Sequence, residues 1–283
     1  MTAHIAFLGT GRLGSGFVEA ALGRGDQVTV WNRTPGKAQA LAALGATVAA
    51  TPADAVKGAE RVHLVLKDDA SVEGVIGEFR GALAPDAIIV DHTTTQPALT
   101  AERAVRLNAE GVKYLHCPVF IGPAAARKGA GIILAAGPRA LFDAVKPALE
   151  KQAARVEYFG ERPDKAAVIK LVGNAYLLGT GAVIADILSI AKGANVSAAD
   201  AMKLFDFFDP ANIVTTRGRS MAQGDFTASF EMVMARKDVR LMIETAGELP
   251  LAALPALAAR MDALIAAGHG GEDFGVLAID AVR

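Results

Sequence analysis

A glycine-rich segment near the amino terminus restricts the possible folds of this chain most strongly. It follows the short apolar run at residues 4–8 and precedes a stretch of helical composition. In such a G-x-G-x-x-G pattern the first glycine makes a tight turn, the second lets a pyrophosphate approach the backbone, and the third lets helix and strand pack closely. The new helix offers N–H donors and partial positive charge to phosphates. We therefore predict a dinucleotide-binding turn made of Gly9, Thr10, Gly11, Arg12, Leu13 and Gly14, rather than an ordinary glycine-rich turn.

The first half of the chain alternates short apolar runs with helical stretches. Strands that alternate with helices indicate βαβ units and a mostly parallel, doubly wound sheet. The predicted strands are 4–8, 27–31, 61–66, 87–91, 113–119 and 131–136. After about residue 163 no strand is predicted, and helices are expected at 164–192, 197–205, 230–248, 255–267 and 273–282. The predicted fold is α/β, with a Rossmann domain over 1–160 and an all-α substrate and dimerisation domain over 161–283, joined by the long first helix.

The charge balance and the cysteine content exclude several classes of protein. Lysine and arginine total 29 against 30 acidic residues, a net charge of −1, so the chain has no electrostatic signature for nucleic acid or for a membrane surface. The one cysteine, Cys117, excludes a disulfide framework, and no metal site is expected. The amino terminus lacks a basic signal-peptide region, and no uninterrupted apolar run reaches about 18 residues. We expect a soluble cytoplasmic protein that acts on a small molecule.

The end of the predicted second strand indicates which dinucleotide binds. An NAD-specific site has Asp or Glu about 20 residues after the glycines, where it accepts a hydrogen bond from the ribose 2′-hydroxyl. This chain instead has a neutral amide followed by two cations, which can bind a 2′-phosphate. The sequence therefore predicts NADP, with NADPH preferred over NADH. The alternative is that the cations only form a solvated helix turn. The residues concerned are Asn32, Arg33, Thr34 and Lys37.

The order of motifs resembles the β-hydroxyacid dehydrogenase family, which includes 3-hydroxyisobutyrate dehydrogenases, glyoxylate and succinic semialdehyde reductases, and 6-phosphogluconate dehydrogenase. The resemblance covers nearly the whole chain, and several ordered blocks are more specific than any one. Besides the glycine-rich turn, the matching segments are Val-Asp-His-Thr-Thr at 90–94, His-Cys-Pro-Val-Phe-Ile-Gly at 116–122, Lys-Leu-Val-Gly-Asn at 170–174, Lys-Asp-Val at 237–239, and the glycine-rich stretch at 268–274.

This resemblance implies that Lys170 is the catalytic residue, and the chemistry fits. Carbonyl reduction needs a proton for the developing alkoxide, and an ammonium beside the oxygen supplies both the proton and electrostatic stabilisation. Lys170 lies in an apolar helical stretch, and Asn174 is on the same helical face. The alternative is a lysine that extends to solvent from a half-buried helix. The resemblance also assigns Thr94 and Lys237 to binding near the nicotinamide, with Thr94 close to the substrate as well, although Lys237 could be a surface lysine.

The sequence departs from the family pattern in the block expected to bind substrate. The family has Ser-Gly-Gly there, which holds a carboxylate, whereas this chain has Phe120, Ile121 and Gly122. Phe120 has no hydroxyl, and Ile121 adds bulk where a backbone could have approached closely. Backbone amides could still bind a carboxylate, but we expect a more apolar substrate pocket.

These inferences give one main hypothesis and two alternatives. The main one is an NADPH-dependent oxidoreductase that interconverts a small aldehyde or ketone, including semialdehydes and keto acids, with its hydroxy compound in a cleft between the domains. The family's helical domains commonly pair between subunits, so a homodimer or homotetramer is expected. One alternative is an imine reductase of the same fold, favoured by the apolar pocket at Phe120 and Ile121 and disfavoured by Lys170. The other is a non-catalytic nucleotide-binding module.

Overall fold

A six-stranded parallel sheet organises the amino-terminal region of the protein, for which a computed structural model describes residues 3–283. In chain order the strands are β1 (His4–Leu8), β2 (Gln27–Trp31), β3 (Thr47–Val48), β4 (Arg61–Leu64), β5 (Ile88–Asp91) and β6 (Lys113–His116). Their spatial order is β3-β2-β1-β4-β5-β6, and every neighbouring pair is parallel. This order reverses between β1 and β4, which is where dinucleotides bind in such sheets. The predicted Rossmann architecture is confirmed.

The central strand β1 shows why the sheet is apolar on both faces. Phe7 packs into one apolar cluster, whereas its neighbours Ala6 and Leu8 pack into another. Successive side chains of a strand point to opposite faces, so the two clusters lie on the two sides of the sheet. Helices cover both faces, as a parallel sheet requires.

The helices of this region begin at clear sequence signals. Proline occupies the first turn of α2, α3, α5 and α6, where its missing N–H costs no hydrogen bond. The Asp68 carboxylate caps α4 by accepting a hydrogen bond from the Ser71 N–H. The helices are α1 (Arg12–Gly23), α2 (Pro35–Ala42), α3 (Pro52–Val56), α4 (Asp69–Phe79), α5 (Pro97–Ala109), α6 (Pro123–Arg127) and α7 (Arg139–Leu149).

A second sheet of three strands corrects part of the sequence prediction. It contains β7 (Val119–Phe120), β8 (Ile132–Ala135) and β9 (Arg155–Tyr158), with β7 antiparallel and β9 parallel to β8. The predicted strand 113–119 is therefore two strands, β6 and β7. They are separated at Pro118, which has no N–H for a ladder. The sequence analysis missed β9 because its side chains are polar and only half-buried, and β3 because it has two residues.

The remainder of the chain is helical. Internal contacts divide the chain into two compact units, Met1–Asn174 and Ala175–Arg283. The predicted boundary near residue 160 stays a prediction. The described residues after Tyr158 form no further strand, as predicted. Two short helices that the sequence analysis missed, α10 and α11, lie among the elements α8 (Lys165–Gly193), α9 (Ala198–Met202), α10 (Pro210–Thr215), α11 (Arg217–Gln223), α12 (Met232–Ala246), α13 (Leu254–Leu264) and α14 (Ile279–Val282).

The second unit has its own apolar core and contains most of the exposed helix α8. Its core packs α12 and α13 together through Met232, Val239 and Met261. Helix α8 is 29 residues long with a mean hydropathy of 1.5 over its most apolar stretch, and little of that stretch is buried. By length and composition alone α8 could cross a membrane, and core helices of soluble proteins meet the same criterion.

Two stacked, fully buried histidines connect β4 to the end of β5. His92 Nδ1 lies 2.7 Å from the Cys117 carbonyl oxygen, and since a carbonyl only accepts, this nitrogen carries the proton. Neutral His92 therefore accepts at Nε2 from His63 Nδ1–H, 2.9 Å away. Burial lowers the pKa of His92 to about 4 and holds the pKa of His63 well below its usual value. Both imidazoles are neutral in the folded protein near pH 7.

We expect this pair to make the first unit sensitive to acid. An unfolded histidine titrates near 6.5 and folded His92 near 4, so between these values only the unfolded state takes up the proton. The stability that neutral His92 provides is complete above pH 6.5 and is lost as the pH falls towards 4, by up to about 3 kcal/mol.

Urea unfolding at pH 7.5, 5.5 and 4.5, followed by the fluorescence of Trp31 in β2, measures this effect. The midpoint of wild-type protein should fall with pH more steeply than that of His92→Gln, which cannot take up a proton there. His269→Gln, in the second unit, is the matched control and should behave as wild type. Equal slopes for wild type and His92→Gln would contradict the prediction.

Candidate cofactor and catalytic site

A cleft of about 740 Å³ opens at the carboxyl ends of β1, β2 and β4. The position follows from the reversal of strand order, because the loops after β1 and β4 diverge to opposite faces of the sheet. The sequence-predicted residues that line it are Gly9, Gly11, Asn32, Arg33, Thr34 and Lys37. The structure thus brings the glycine-rich turn and the end of β2 together, as predicted.

The three glycines of the turn are required for different physical reasons. Gly9 has φ +100°, and a Cβ there would lie 2.2 Å from the Val65 carbonyl oxygen. A Cβ on Gly14 would lie 2.0 Å from the Gly9 oxygen. Gly11 is different, because it has an ordinary φ of −66° and a Cβ there would meet nothing within 4 Å. The space over Gly11, at the start of α1, fits a pyrophosphate that approaches the helix N-terminus.

Asn32 connects the glycine-rich turn to the end of β2. Its Oδ1 accepts from the Thr10 N–H at 3.0 Å, and its Nδ2 donates to the Thr34 carbonyl at 3.0 Å. The side chain therefore fixes the turn relative to the next two residues. Arg33 and Lys37 are exposed on the rim of the cleft, and neither forms an ion pair with any other residue of 3–283. Both cations are available to an anionic group in the cleft.

The opposite wall of the cleft was missed by the sequence analysis. It consists of the loop after β4 and one side of α4, with Ser71 near the start of the helix and Glu78 near its end among the polar groups. No short-range sequence pattern indicates this wall, because it is the sheet register that places the end of β4 beside the end of β1. The further lining residues are Trp31, Val65, Leu66, Lys67, Ala70, Gly74 and Val75.

Buried polar groups hold the loop that carries Thr94. The Thr93 hydroxyl accepts from the Leu66 N–H at 3.1 Å, and the Thr93 N–H donates to the Asp91 carboxylate at 2.9 Å. On the other side, the Thr95 hydroxyl lies 2.7 Å from that of Thr100. Thr94 between them is exposed. Its neighbours fix the backbone and leave its side chain to face outward, so its role at the nicotinamide stays a prediction.

A buried arginine stabilises the same loop from behind. Asp91 is fully buried and accepts from the Tyr114 hydroxyl at 2.7 Å. Arg103 Nη1 lies 3.9 Å from Asp91, while its other nitrogens donate to Asp69 at 2.7 Å and Glu73 at 2.8 Å. A buried charge has to be paired and hydrogen-bonded, and this network meets that requirement.

Lys170 lies near the start of α8 and is only 9% exposed. Its Nζ donates to Asn174 Oδ1 at 2.9 Å, one turn further along the helix, as the spacing predicted. No carboxylate within residues 3–283 forms a salt bridge with it. Burial lowers the pKa of the Lys170 ammonium, which makes it a better proton donor. The alternative of a lysine that extends to solvent does not fit this position.

The block predicted to bind substrate is adjacent to Lys170. Phe120 belongs to β7, and its ring centroid lies 4.1 Å from Lys170 Nζ. Ile121 is half-buried, and the exposed Gly122 precedes α6. Contact of these residues with substrate stays a prediction. So does that of Lys237, which lies in the second unit on α12 and forms a 2.9 Å ion pair with Asp238.

Comparison with known proteins identifies relatives over most of the chain. A family model for the NAD binding domain of 6-phosphogluconate dehydrogenase matches residues 4–160. An uncharacterized oxidoreductase of Shewanella frigidimarina is 29% identical over 264 residues, 89% of each chain. Glyoxylate/succinic semialdehyde reductase 1 of Arabidopsis thaliana is 27% identical over 287 residues, 99% of this chain and 98% of the relative. An imine reductase structure from Myxococcus stipitatus, in complex with NADP+, shares the fold with TM-score 0.88 at 23% identity, covering 97% and 98%.

The different surroundings of Gly9 and Gly11 predict different outcomes for two substitutions in one turn. Gly11→Val places a side chain in open space, so the thermal unfolding temperature should stay near that of wild type while the Kd for NADPH rises by about tenfold or more. Gly9→Ala forces a side chain against the Val65 carbonyl and should lower the unfolding temperature itself. Thermal unfolding together with NADPH titration separates the two effects. A Gly11→Val protein with unchanged NADPH affinity would contradict the assigned phosphate position.

Proposed function

This chain belongs to the β-hydroxyacid dehydrogenase family, and we propose that it is an NADPH-dependent reductase that interconverts a small aldehyde or ketone with the corresponding alcohol. The single observation that carries this proposal is the buried Lys170, which is hydrogen-bonded to Asn174 and has no carboxylate partner among the described residues 3–283. Burial of an ammonium without a carboxylate partner costs free energy, so Lys170 does not stabilise the fold through its charge. A charge kept at such a position points to a functional role. Proton transfer to a carbonyl oxygen is the role that we infer.

In the reductive direction, the Lys170 ammonium hydrogen-bonds the carbonyl oxygen and transfers its proton to the alkoxide as it forms. NADPH supplies the hydride for the carbonyl carbon. In the oxidative direction, neutral Lys170 accepts the proton of the alcohol, and a bound NADP+ would accept the hydride from its carbon. Asn174 orients the amine because its Oδ1 occupies one of the three N–H donors.

We infer that Arg33 and Lys37 bind the 2′-phosphate of NADP, with Asn32 holding the adjacent backbone. The free guanidinium can bind a phosphate through two parallel hydrogen bonds. Thr10, Gly11, Arg12 and Leu13 belong to the turn and first helical residues proposed to bind the pyrophosphate. We also propose that the protein acts in the cytoplasm.

A second candidate function is imine reduction. The NADP+ complex of an imine reductase has the same fold, and Phe120 beside Lys170 gives this chain an apolar substrate wall. An acidic lysine could equally protonate the nitrogen of a C=N group, so a substrate panel has to separate the two reactions.

We further infer that the second unit pairs with that of another copy. Helix α8 presents Leu177 and Leu178 with 64% and 72% of their surface exposed, and Phe207 is 81% exposed. An apolar groove of about 660 Å³ lies between α8 and residues 202–214. Contiguous apolar surface of this kind marks association sites. We assign it to a second copy rather than to lipid because Asp186, in the same helix, is buried and accepts three backbone hydrogen bonds from residues 252–254.

The proposed reaction predicts a large effect for Lys170. NADPH oxidation with short aldehydes, semialdehydes, keto acids and cyclic imines is measured for wild type and for Lys170→Ala. We expect wild type to reduce at least one aldehyde or ketone, and Lys170→Ala to lose about 100-fold or more in kcat because the proton donor is removed. The variant should bind NADPH as tightly as wild type. Full turnover by Lys170→Ala would overturn the mechanism, and turnover of imines alone would transfer the protein to the second candidate function.

Cofactor preference tests the assignment of Arg33. The ratio of kcat/KM with NADPH to that with NADH should fall about tenfold or more in Arg33→Gln, since the bidentate contact with the 2′-phosphate is lost. The control is Arg155→Gln, an exposed arginine of β9 far along the chain from the cleft residues. An unchanged ratio in Arg33→Gln would remove Arg33 from the site.

The proposed pairing of two copies predicts the molecular mass of the protein in solution. Light scattering should give twice the chain mass of 29.2 kDa, or a higher even multiple, for wild type. Leu178→Asp should shift the protein towards monomer because a charge is placed on the apolar surface. Leu44→Asp, at an exposed leucine of the first unit, is the matched control. A monomeric wild type would disprove the pairing.

A further inference from the structure

The Phe120 ring is held against the backbone of helix α8. A Cβ at Gly173 would lie 2.2 Å from the ring atom Cζ and 2.8 Å from Cε1. No side chain larger than hydrogen fits at position 173 while the ring keeps this place. The ring also packs against a small buried cluster of Leu134, Ala136 and Ala166, as do Ile132, Phe159 and Ile169. Phe120 is therefore fixed by its surroundings.

The same ring covers one side of the Lys170 ammonium. The 4.1 Å between Nζ and the ring centroid is within the range of a cation–π contact. An ammonium has three N–H donors. One binds Asn174 Oδ1 and one side faces the ring, so a single donor is left for a substrate oxygen.

This count of donors discriminates between substrates. A neutral aldehyde needs one donor, at its carbonyl oxygen. A carbonyl compound that also carries a carboxylate brings two further acceptor oxygens, and these compete for the same N–H. The carboxylate oxygens would need a further N–H of the ammonium, but the Phe120 ring covers that side of it. The face of a phenyl ring carries partial negative charge and offers no hydrogen-bond donor. Burial of a carboxylate against it leaves the charge without hydrogen bonds.

We propose that Phe120 is the specificity-determining residue of the site and selects uncharged aldehydes and ketones over carbonyl compounds that carry a carboxylate. This inference rests on the proposed function, because it requires Lys170 to act on a carbonyl. Gly173 is a positioning residue in it, since it provides the space in which the ring lies.

A matched pair of substrates tests the selection. Butanal and succinic semialdehyde both have four carbons and an aldehyde, and differ in the terminal carboxylate. We expect wild type to reduce butanal with kcat/KM about tenfold or more above that for succinic semialdehyde. In Phe120→Ser, which replaces the ring by a hydroxyl donor, this ratio should fall about tenfold or more. Phe159→Ser controls for the loss of a phenyl ring from the same cluster and should keep the wild-type ratio.

The outcomes separate this inference from the proposed function. A wild type that reduces succinic semialdehyde better than butanal, or a Phe120→Ser protein with an unchanged ratio, overturns the selection by Phe120 and leaves the carbonyl reductase intact. A wild type that reduces neither compound, nor any other carbonyl compound in the panel, overturns both.

A double substitution tests the contact between Phe120 and Gly173. Gly173→Ala displaces the ring and should lower kcat/KM for butanal about tenfold or more. Phe120→Ser/Gly173→Ala should be no slower than Phe120→Ser alone, because the displaced ring is absent. Gly77→Ala, in the exposed part of α4 with nothing within 4 Å of the added methyl, is the control and should match wild type. If Gly173→Ala lowered kcat/KM for butanal by the same factor in wild type and in Phe120→Ser, the contact between the ring and position 173 would be disproved.

The pH profile tests whether the ring acts on the ammonium itself. In wild type the π face of the ring favours the charged form of Lys170. Phe120→Leu keeps an apolar side chain but removes this π face, so the pKa of Lys170 should fall. The alkaline limb of kcat/KM for butanal should therefore move to lower pH, by about 0.5 pH unit or more. Phe120→Tyr retains the ring and should keep the wild-type limb. A merely structural role for Phe120 would leave the limb in place in both variants.

Discussion

The close approach of the first βα turn to the end of β4 is the constraint on which the cofactor cleft depends. Gly9 lies so near the Val65 carbonyl that even a methyl group could not be accommodated. This contact places the start of α1 at the point where the strand order reverses, with its N–H groups directed into the cleft. The Asn32 amide then fixes the turn to the end of β2. Three loops from three strands thus form one rigid edge.

The chemistry at Lys170 follows a different physical rule. The cofactor edge combines backbone groups with the Asn32 side chain, whereas the catalytic proposal rests on one charged side chain that is buried without a carboxylate partner among residues 3–283. A protein interior normally pairs such a charge with a carboxylate. Here an amide oxygen and a phenyl ring take that place, and neither carries a full negative charge that would neutralise the ammonium. A carboxylate partner would stabilise the ammonium and raise the pKa that burial lowers.

Sequence reasoning predicted the features that depend on short-range patterns. The glycine-rich turn, five of the six strands of the parallel sheet and the spacing of Lys170 and Asn174 depend on residues close together in the chain. The second sheet was not predicted, because β9 is polar and Pro118 divides an otherwise continuous apolar run. The wall of the cleft after β4 and the buried histidine pair were missed for a related reason. Their partners are 25 or more residues apart, and only the sheet register brings them together.

The fit between the Phe120 ring and the helix backbone at Gly173 also limits how this site can evolve. A side chain at 173 clashes with the ring while Phe120 is present, and a smaller residue at 120 removes the three atoms that lie nearest to the added Cβ. The order of substitution at the two positions therefore matters, because only a change at 120 that comes first avoids this clash. Once alanine is fixed at 173, its methyl group occupies the place of the ring, and phenylalanine cannot return to 120 in the same position. The loss of this arrangement is therefore difficult to reverse by single substitutions.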